Sequence, residues 1–473
     1  MGNAESRQTL RAGTLNFWGA FAISFGNMAP AASVLFLPQA MAQFTGTAVP
    51  LAFVFAMIAS FLTAASILHF VKRFASAGAA YTFNSLAFNK VMGFVSGWML
   101  FLAYGLSLPS NLLVFGYFSQ AFAMQIWGIH LSWFLFTVAA LLAITLLVMR
   151  GVRMSSRVDL VLVILETSII VALAAAIIGQ GGANGNTWAV FSPFRARTHW
   201  VGIIFGMLYG VGAFAGFEAS ATVAEETQQR FRTIPLAIFA TIIVGGFLYI
   251  LVAYAIAIGY GVGHGHALAT ATLPLSVLAT RYVGPWMALA VELAGMASAL
   301  GIALASATAS ARVIYTMGRD GVIPRWFATV HHRFGTPFHA MAGLALFSGF
   351  LLTIMAVSVK PYPQGFSDLV AAADVLGLTL YILVNLAWVT MWFKHPEHYH
   401  MSWLVGIVPS LLGALVMAIP LVSTIVPIPP WPLNLFLYLT FAYIAWGLVT
   451  AWLLKRRNPA RLDQVGRGLT INE

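Results

Sequence analysis

The sequence Gly26-Asn27-Met28-Ala29-Pro30 interrupts an apolar stretch that runs from about residue 15 to residue 42. A second apolar stretch, from about residue 200 to 224, carries four glycines through its middle, Gly206, Gly210, Gly212 and Gly216. Hydrocarbon offers no water to a broken backbone, so unwound chain in a bilayer is tolerated only where it is buried in protein or lines a cavity. Interrupted membrane helices at corresponding positions in the two halves of a chain indicate the substrate-binding site of a carrier. The alternative is that these residues only let membrane helices pack closely.

The composition is that of a membrane protein. Hydrophobic residues make up 60% of the 473 residues and charged residues only 8%, whereas soluble domains average about 25% charged residues. A helix needs about 20 mostly apolar residues to span a bilayer, and the sequence supplies twelve such stretches. These long runs lack the alternating pattern of membrane β-strands. We therefore predict an all-α membrane protein with twelve transmembrane helices, of which helices 1 and 6 are broken.

The predicted helices divide into two sets of five and a final pair, all within one membrane domain. The predicted parts are an amino-terminal segment (1–14), helices 1 to 5 (15–179), helices 6 to 10 (200–394), helices 11 and 12 (402–455) and a tail (456–473). Because five is odd, the second set enters the membrane from the opposite side. The two sets are then inverted repeats, a common architecture of secondary carriers.

The net charge of +11 reflects topology rather than nucleic-acid binding. If the amino terminus is cytoplasmic, that side of the membrane receives twenty of the 24 Lys and Arg residues, and the other side receives only Arg195, Arg197, Arg281 and Lys360. Positive residues concentrate on the cytoplasmic side of membrane proteins. We therefore predict that both termini are cytoplasmic and that the chain lies in the plasma membrane, which is the inner membrane in a bacterium, with no nucleic-acid partner.

The sequence favours neither a metal site nor an enzyme. It contains no cysteine, which excludes disulfides and thiolate ligands. His395, His398 and His400 lie close together, but Pro396 prevents a regular helical ligand face, so a solvated turn is favoured. The sequence lacks the His-Glu-x-x-His motif of metalloproteases, the phosphate loop of ATP-driven pumps and the selectivity sequence of a channel. We expect no metal and no cofactor, with an ion gradient or substrate exchange as the energy source.

Three sequence motifs resemble those of the amino acid, polyamine and organocation carriers. Phe74-Ala75-Ser76-Ala77-Gly78-Ala79-Ala80-Tyr81 is similar to the family's P-x-S-G-G-x-Y motif after helix 2. Gly216-Phe217-Glu218 with Ala224-Glu225-Glu226-Thr227 resembles the sixth-helix motif, and Ala309–Tyr315 running into Met317-Gly318-Arg319-Asp320-Gly321 resembles the end of the eighth helix. The resemblance extends over nearly the whole chain. It implies the inverted-repeat fold with broken helices 1 and 6, a small-molecule substrate and a lipid-embedded protein.

Glu166 is the leading candidate for proton coupling, with Glu218 beside the second break as a further candidate. An ionisable group inside a bilayer costs at least about 2.5 to 3.5 kcal/mol, so each is a functional candidate by default. Glu166 lies roughly nine residues, or about 13 Å, from the end of its predicted helix, near the middle of the membrane. The resemblance implies that a titratable residue there replaces the sodium ion of sodium-coupled members. The alternative is a permanently protonated hydrogen-bond donor between helices.

Glu218 either faces the cavity or braces the broken helix, and the resemblance favours a structural or gating role. Glu292 and Asp374 lie in the eighth and tenth predicted helices. Either is a candidate second protonation site, and local hydrogen bonding is an equal alternative for both.

The predicted substrate site consists mostly of backbone at the two breaks. Amides after the first break carry partial positive charge and suit a carboxylate, and carbonyls released in helix 6 suit an ammonium group. Phe214 is expected to act as an aromatic lid and Tyr104 in helix 3 as a wall. The predicted substrate-binding residues are Gly26, Asn27, Met28, Ala29, Pro30, Ala31, Ala32, Tyr104, Tyr209, Gly210, Val211, Gly212, Ala213 and Phe214.

A gate is predicted at the end of helix 6, where Glu225 and Glu226 precede Arg230 and Arg232. We take Glu225 and Arg232 as the gating residues. Some putrescine importers that the chain resembles carry an aspartate immediately before the helix-3 tyrosine, where this chain has Ala103. A second ammonium group would need its own counter-charge. We therefore expect a proton-coupled amino acid importer that works by alternating access, with a polyamine or amine importer, an amino acid exchanger and, less favoured, a channel as alternatives.

Overall fold

The computed structural model describes residue 10 and residues 12–271, 273–358, 364–395, 402–426, 428, 431, 433–466 and 470–471. Nearly all regular structure in these ranges is helical. The helices before the second break are α1 (Phe17–Asn27), α2 (Pro30–Thr45), α3 (Val49–Val71), α4 (Ala80–Ala87), α5 (Lys90–Trp127), α6 (Trp133–Arg150), α7 (Val152–Gly179) and α8 (His199–Ala213).

The helices after the second break complete the bundle. They are α9 (Arg230–Tyr260), α10 (Gly265–Thr270), α11 (Pro274–Tyr282), α12 (Pro285–Arg319), α13 (Phe338–Ser358), α14 (Phe366–Lys394), α15 (Trp403–Gly406), α16 (Val408–Ile425), α17 (Leu433–Arg457) and α18 (Pro459–Leu462). Short 3₁₀ helices lie at Trp188–Phe191, Pro193–Arg195, Ala219–Glu226 and Arg325–Ala328. Two short strands, β1 (Phe74–Ala75) and β2 (Thr470–Ile471), pair antiparallel.

Eleven helices among the described residues are long and apolar enough to cross a membrane, with Phe17–Thr45 counted as one. The predicted sixth helix coincides with α8, which at 15 residues is shorter than the roughly 20 residues that a span needs. The chain continues past α8 in the 3₁₀ helix Ala219–Glu226. The architecture is therefore that of an all-helical, multi-pass membrane protein. The inverted relation of its two sets of helices stays a prediction, and His398 and His400 lie outside the described residues.

The first predicted break divides α1 from α2. α1 ends at Asn27, and Ala29 adopts a left-handed backbone conformation, with φ 47°. An alanine rarely adopts that conformation, because its Cβ then crowds the backbone. Pro30 follows as the first residue of α2, where its missing N–H has no helical partner to lose. Together, the left-handed alanine and the proline separate the two helices.

The second break lies later in the chain than the four glycines suggest. α8 is continuous to Ala213, and only Gly216 of the four has a positive φ, 92°. A Cβ on Gly206 would lie 2.1 Å from Thr45 Cγ2, and one on Gly210 would lie 2.8 Å from Ala56 Cβ. Both glycines thus serve close helix packing, which was the alternative reading, and the break itself is the turn between residues 214 and 218.

The two broken spans lie in the middle of the bundle. α1 packs against α7, α9 and α12, while α2 packs against α8 and α12. α12 also packs along α5, and α3 along α9. Membrane helices pack through close backbone approach and polar contacts between helices, since lipid is as apolar as leucine. The unwound backbone is therefore enclosed by protein on several sides, as a bilayer requires.

Candidate functional site

One tyrosine of α9 joins the two helix breaks. The fully buried Tyr249 hydroxyl lies 3.2 Å from the Met28 carbonyl oxygen and 2.9 Å from that of Ala213. Ser33 Oγ donates a second hydrogen bond to Met28 O, at 3.0 Å. These two carbonyls end α1 and α8, so they lack helical partners and need hydroxyl donors when buried. The breaks are thus physically linked.

The turn after α8 also contacts the first break directly. A Cβ on Gly216 would lie 2.2 Å from Asn27 Nδ2, so only glycine fits there in this conformation. The Asn27 side chain is fixed in turn, because its Oδ1 accepts a 2.6 Å hydrogen bond from Ser306 Oγ of α12. Ser220 N donates to Ser24 Oγ at 3.0 Å. The turn and the chain after the second break are therefore held against the end of α1, at the first break.

Glu218 is held by two tyrosines. The hydroxyls of Tyr104 in α5 and Tyr381 in α14 each donate to one carboxyl oxygen of Glu218 at 2.7 Å. The Tyr381 hydroxyl also accepts from Gly216 N at 3.0 Å. The predicted wall residue Tyr104 therefore contacts the predicted coupling residue Glu218. This geometry fits the bracing role for Glu218, because it fixes the unwound turn to α5 and α14.

Open space lies beside the Glu218 turn. Glu218 and Ala215 are only half-buried, although Tyr104, Phe217 and Tyr381 around them are buried. Gly377 lies one helical turn before Tyr381 and so on the same face of α14. A Cβ on Gly377 would meet no atom within 4 Å. The interior next to the second break therefore contains unfilled volume.

Glu166 contacts the first turn of α2. It is 0% exposed, and its Oε2 accepts a 3.2 Å hydrogen bond from Ala31 N. Ala32 N donates to Ser298 Oγ of α12 at 3.2 Å. Glu166 Oε1 has no hydrogen-bond partner among the described residues. The two amides expected to receive a substrate carboxylate are thus occupied in this conformation, and a carboxylate binds them only after Glu166 or Ser298 gives way.

Other predicted ligands differ from expectation in their placement. Tyr209 is 41% exposed and stacks on Phe44, so its side chain faces away from the breaks. Because α8 is helical to Ala213, the carbonyl of Tyr209 stays within the helix. Val211 O and Gly212 O accept from Phe214 N and Ala215 N. Phe214 is buried, with its ring edge-on to Tyr249 at 5.2 Å.

The predicted gate uses different arginines from those expected. Glu226 pairs with Arg312 of α12 through two contacts of 2.5 and 3.2 Å, and both side chains are essentially unexposed. Glu225 pairs with Arg319 at 2.7 Å and accepts a backbone hydrogen bond from Ala77. Arg232 is exposed instead. Arg230 and Arg232 are near in sequence but begin a new helix, whereas the end of α12 crosses the acidic segment.

The carboxy-terminal segment is docked at the same end of the bundle, which we call the Glu226 end. Asp320, which follows α12, accepts 2.8 Å hydrogen bonds from the Tyr81 hydroxyl and from Gly466 N. Burial raises the pKa of the Asp320 carboxyl, although these two donors and Arg319 favour its ionised form. Lys90 Nζ donates to Val465 O at 2.6 Å. Beyond it, β2 pairs with β1.

Sequence reasoning missed several polar residues of this interior. Tyr249, Tyr381, Arg312 and Asp159 are all buried within the bundle. The sequence contains 14 tyrosines, and nothing in its pattern distinguishes Tyr249 and Tyr381 from the others. The signal for Asp159 was available, since it lies seven residues before Glu166 and hence on the same helix face.

Comparisons with known proteins agree on one family. The profile of the family described as amino acid permease matches residues 15–447. The low-affinity putrescine importer PlaP of Escherichia coli is 30% identical over 61% of this chain, and the match spans 63% of the importer, less than two thirds of its length. The methylthioribose transporter of Bacillus subtilis is 24% identical over 84% of both chains. The branched-chain amino acid permease BcaP of the same organism is 24% identical over 74% of this chain and 75% of its own.

Proposed function

The chain belongs to the amino acid permease family and is a membrane transporter, and from that premise we propose that it imports an amino acid by proton-coupled alternating access. The observation that carries the proposal is that the two helix breaks meet at the Tyr249 hydroxyl. Glu166 accepts a hydrogen bond from Ala31 N, the first backbone N–H after the first break. Broken helices that present backbone to one interior point form the binding sites of secondary carriers.

Substrate binding is proposed to use the same polar groups that now satisfy each other. Ala31 N and Ala32 N begin α2, where backbone amides carry partial positive charge. A substrate carboxylate there replaces the Glu166 and Ser298 oxygens. An ammonium group then takes the Met28 or Ala213 carbonyl from the Tyr249 hydroxyl. Each substrate group therefore takes the place of a protein group, so the backbone amides and carbonyls at the breaks stay paired.

Proton coupling is proposed to follow from that exchange. When a carboxylate displaces Glu166 from Ala31 N and takes the place of Ser298 on Ala32 N, Glu166 loses its backbone donor while it remains buried. A buried carboxylate without donors is strongly disfavoured, so Glu166 has to be protonated when substrate is bound. One proton then moves with each substrate molecule.

The gate is proposed to be the Glu226 end, with both termini on the cytoplasmic side. Arg312 and Glu226 close that end through a pair that water does not reach. Glu225 and Arg319 form a second, partly exposed layer. Separation of the 3₁₀ helix Ala219–Glu226 from α12 breaks both layers together and opens the site toward the cytoplasm.

A second candidate is an amine importer, which one observation favours. Glu218 is a half-buried carboxyl beside unfilled volume, and a carboxylate there suits an ammonium group. The similarity to a putrescine importer is consistent with it. Against it, two tyrosine hydroxyls already occupy both Glu218 oxygens. The amino acid proposal is therefore preferred.

The test is a thermal-shift screen followed by transport in proteoliposomes. A ligand that binds only the folded protein raises its apparent Tm, so leucine, alanine, lysine and putrescine are compared first. Uptake of the stabilising compound is then measured with and without an inward proton gradient. We expect an amino acid to be stabilising, and Glu166→Gln to lose gradient-driven accumulation while it keeps exchange.

The matched control is Asp463→Asn, which alters an exposed carboxyl that follows α18. It should accumulate substrate as the parent does. Undiminished gradient-driven uptake by Glu166→Gln would remove Glu166 from the mechanism, and stabilisation by putrescine alone would favour the amine importer.

A further inference from the structure

The segment that follows α18 is packed closely into the Glu226 end. We call residues 465 and 466 together with β2 the docked segment. Val465 is 0% exposed and Gly466 is buried. A Cβ on Gly466 would lie 2.6 Å from Ser85 Oγ of α4, and the φ of Gly466 is 75°, a conformation that favours glycine. Lys90 Nζ, at the start of α5, donates to Val465 O at 2.6 Å. Segments outside the helices of a bundle are well ordered only where specific contacts hold them, so these contacts indicate a built docking site.

Asp320, directly after α12, connects the docked segment to the arginine side of the gate. Gly466 N donates to Asp320 Oδ2 at 2.8 Å. The other carboxyl oxygen, Asp320 Oδ1, lies 3.6 Å from Arg319 Nε. Arg319 in turn pairs with Glu225 at 2.7 Å and so forms the partly exposed layer of the gate. The docked segment is therefore held by the residue next to a gate arginine.

The second attachment of the docked segment is to β1, on the acidic side of the gate. β2 pairs antiparallel with β1, with Thr470 opposite Ala75. β1 packs against the 3₁₀ helix Ala219–Glu226 and against α9. Two residues after β1, Ala77 N donates to Glu225 Oε1 at 3.1 Å. β1 thus lies with the glutamates of the gate, whereas α12 carries the arginines.

We propose that the docked segment is a latch, which holds the Glu226 end closed and has to undock before that end opens. This inference rests on the proposed gate. Opening separates the 3₁₀ helix Ala219–Glu226 from α12, and the docked segment is attached to both sides, at Asp320 and at β1. One attachment therefore has to break when the gate opens. Docking of the segment stabilises the closed conformation for that reason.

A purely structural role for the docked segment leads to a different response. A segment that only fastens α4 and α5 stays in place when the gate moves, and its release leaves the gate unchanged. A latch couples the two sites, and coupling between two equilibria is reciprocal. Opening of the gate then loosens the segment, and release of the segment opens the gate by the same factor. Single introduced cysteines measure both directions, because the sequence contains no cysteine.

Gly466→Ala tests the first direction, since its Cβ would meet Ser85. Opening of the gate is read from the rate of maleimide labelling of Ala309→Cys, and release of the segment from that of Val465→Cys; both positions are 0% exposed. We expect Gly466→Ala to raise both rates about tenfold, the effect of losing one hydrogen bond to a carboxylate. Asp463→Asn alters an exposed neighbour and should leave both rates unchanged. A parental rate at either position in Gly466→Ala overturns the proposal.

Glu226→Gln tests the other direction with Gly466 intact, so a folding defect of Gly466→Ala does not affect it. We expect Glu226→Gln to raise the labelling rate of Val465→Cys about tenfold. Ile177→Cys is the matched control, because Ile177 is 0% exposed near the far end of α7 and its labelling rate should stay parental. Faster labelling of Ala309→Cys without faster labelling of Val465→Cys overturns the latch and leaves the gate standing. Parental rates at both positions refute the proposed gate, and the latch with it. Neither test needs a substrate, so both are independent of which compound the protein transports.

Discussion

Glu226→Gln should both destabilise the protein and open its Glu226 end. The Glu226 and Arg312 side chains are 1% and 0% exposed, so the change leaves a buried guanidinium without its counter-charge. Removing one partner of a buried pair costs about 3 to 5 kcal/mol. If the pair forms only in the closed conformation, that energy lowers the ratio of closed to open molecules by roughly a hundredfold to a few thousandfold.

The assay measures labelling of a single introduced cysteine. Because the sequence contains no cysteine, no other thiol reacts with the label. Ala309 is 0% exposed and lies in α12 one turn before Arg312. In an Ala309→Cys background, Glu226→Gln should raise the rate of maleimide labelling and lower the apparent Tm.

Glu225→Gln is the matched control for this prediction. Glu225 pairs with Arg319, and the two side chains are 15% and 26% exposed, respectively. Ion pairs that solvent reaches contribute about 0 to 1 kcal/mol to stability. The double variant Glu226→Gln/Arg312→Gln should recover part of the lost stability, because no lone charge remains. Equal labelling rates and equal Tm values for Glu226→Gln and Glu225→Gln would refute the reasoning.

Three further predictions concern the two breaks. Tyr249→Phe removes the hydroxyl next to the Met28 and Ala213 carbonyls and should cost about 1 to 3 kcal/mol, measured by Tm against Tyr254→Phe as control. Gly216→Ala should abolish transport and lower the folded yield, because φ of Gly216 is 92° and a Cβ there would collide with Asn27. The control Gly212→Ala should be tolerated, because a Cβ on Gly212 would meet no atom within 4 Å. Tyr381→Phe removes the hydroxyl that bonds Gly216 N and Glu218, so uptake should fall more than in Tyr438→Phe, an exposed tyrosine of α17.

The sequence predicts the helical membrane fold well because lipid restricts the possible structures. Among the described residues, apolar length locates eleven of the twelve predicted spans. Pro30 after Gly26-Asn27 correctly marks the first break. The second break was placed too early, because glycine has two uses in membrane helices. Gly206 and Gly210 allow close packing, and only Gly216 supports the unusual backbone conformation. A sequence pattern does not distinguish these uses without the neighbouring helix.

The site is less predictable, because its contacts join residues far apart in the chain. Glu166 and Glu218 stand out in the sequence as charged residues in apolar surroundings. Glu218 contacts Tyr104, and the sequence analysis had named both residues as candidates for the site. The partners of Glu225 and Glu226 are arginines of α12. The sequence favoured Arg230 and Arg232 instead, because they lie close to the two glutamates along the chain. Asp159 was overlooked because it lies near Arg157, where a charge looks like the solvated end of a helix.

The docking of Gly466 on Asp320 has a consequence for biosynthesis. Ribosomes deliver a chain from its amino terminus, so α12 enters the bundle well before the last helix and the residues that follow it. Until Gly466 arrives, the Asp320 carboxyl lacks one of its two recorded donors. A chain translated only as far as α17 therefore has an Asp320 carboxyl that accepts from the Tyr81 hydroxyl but not yet from Gly466 N.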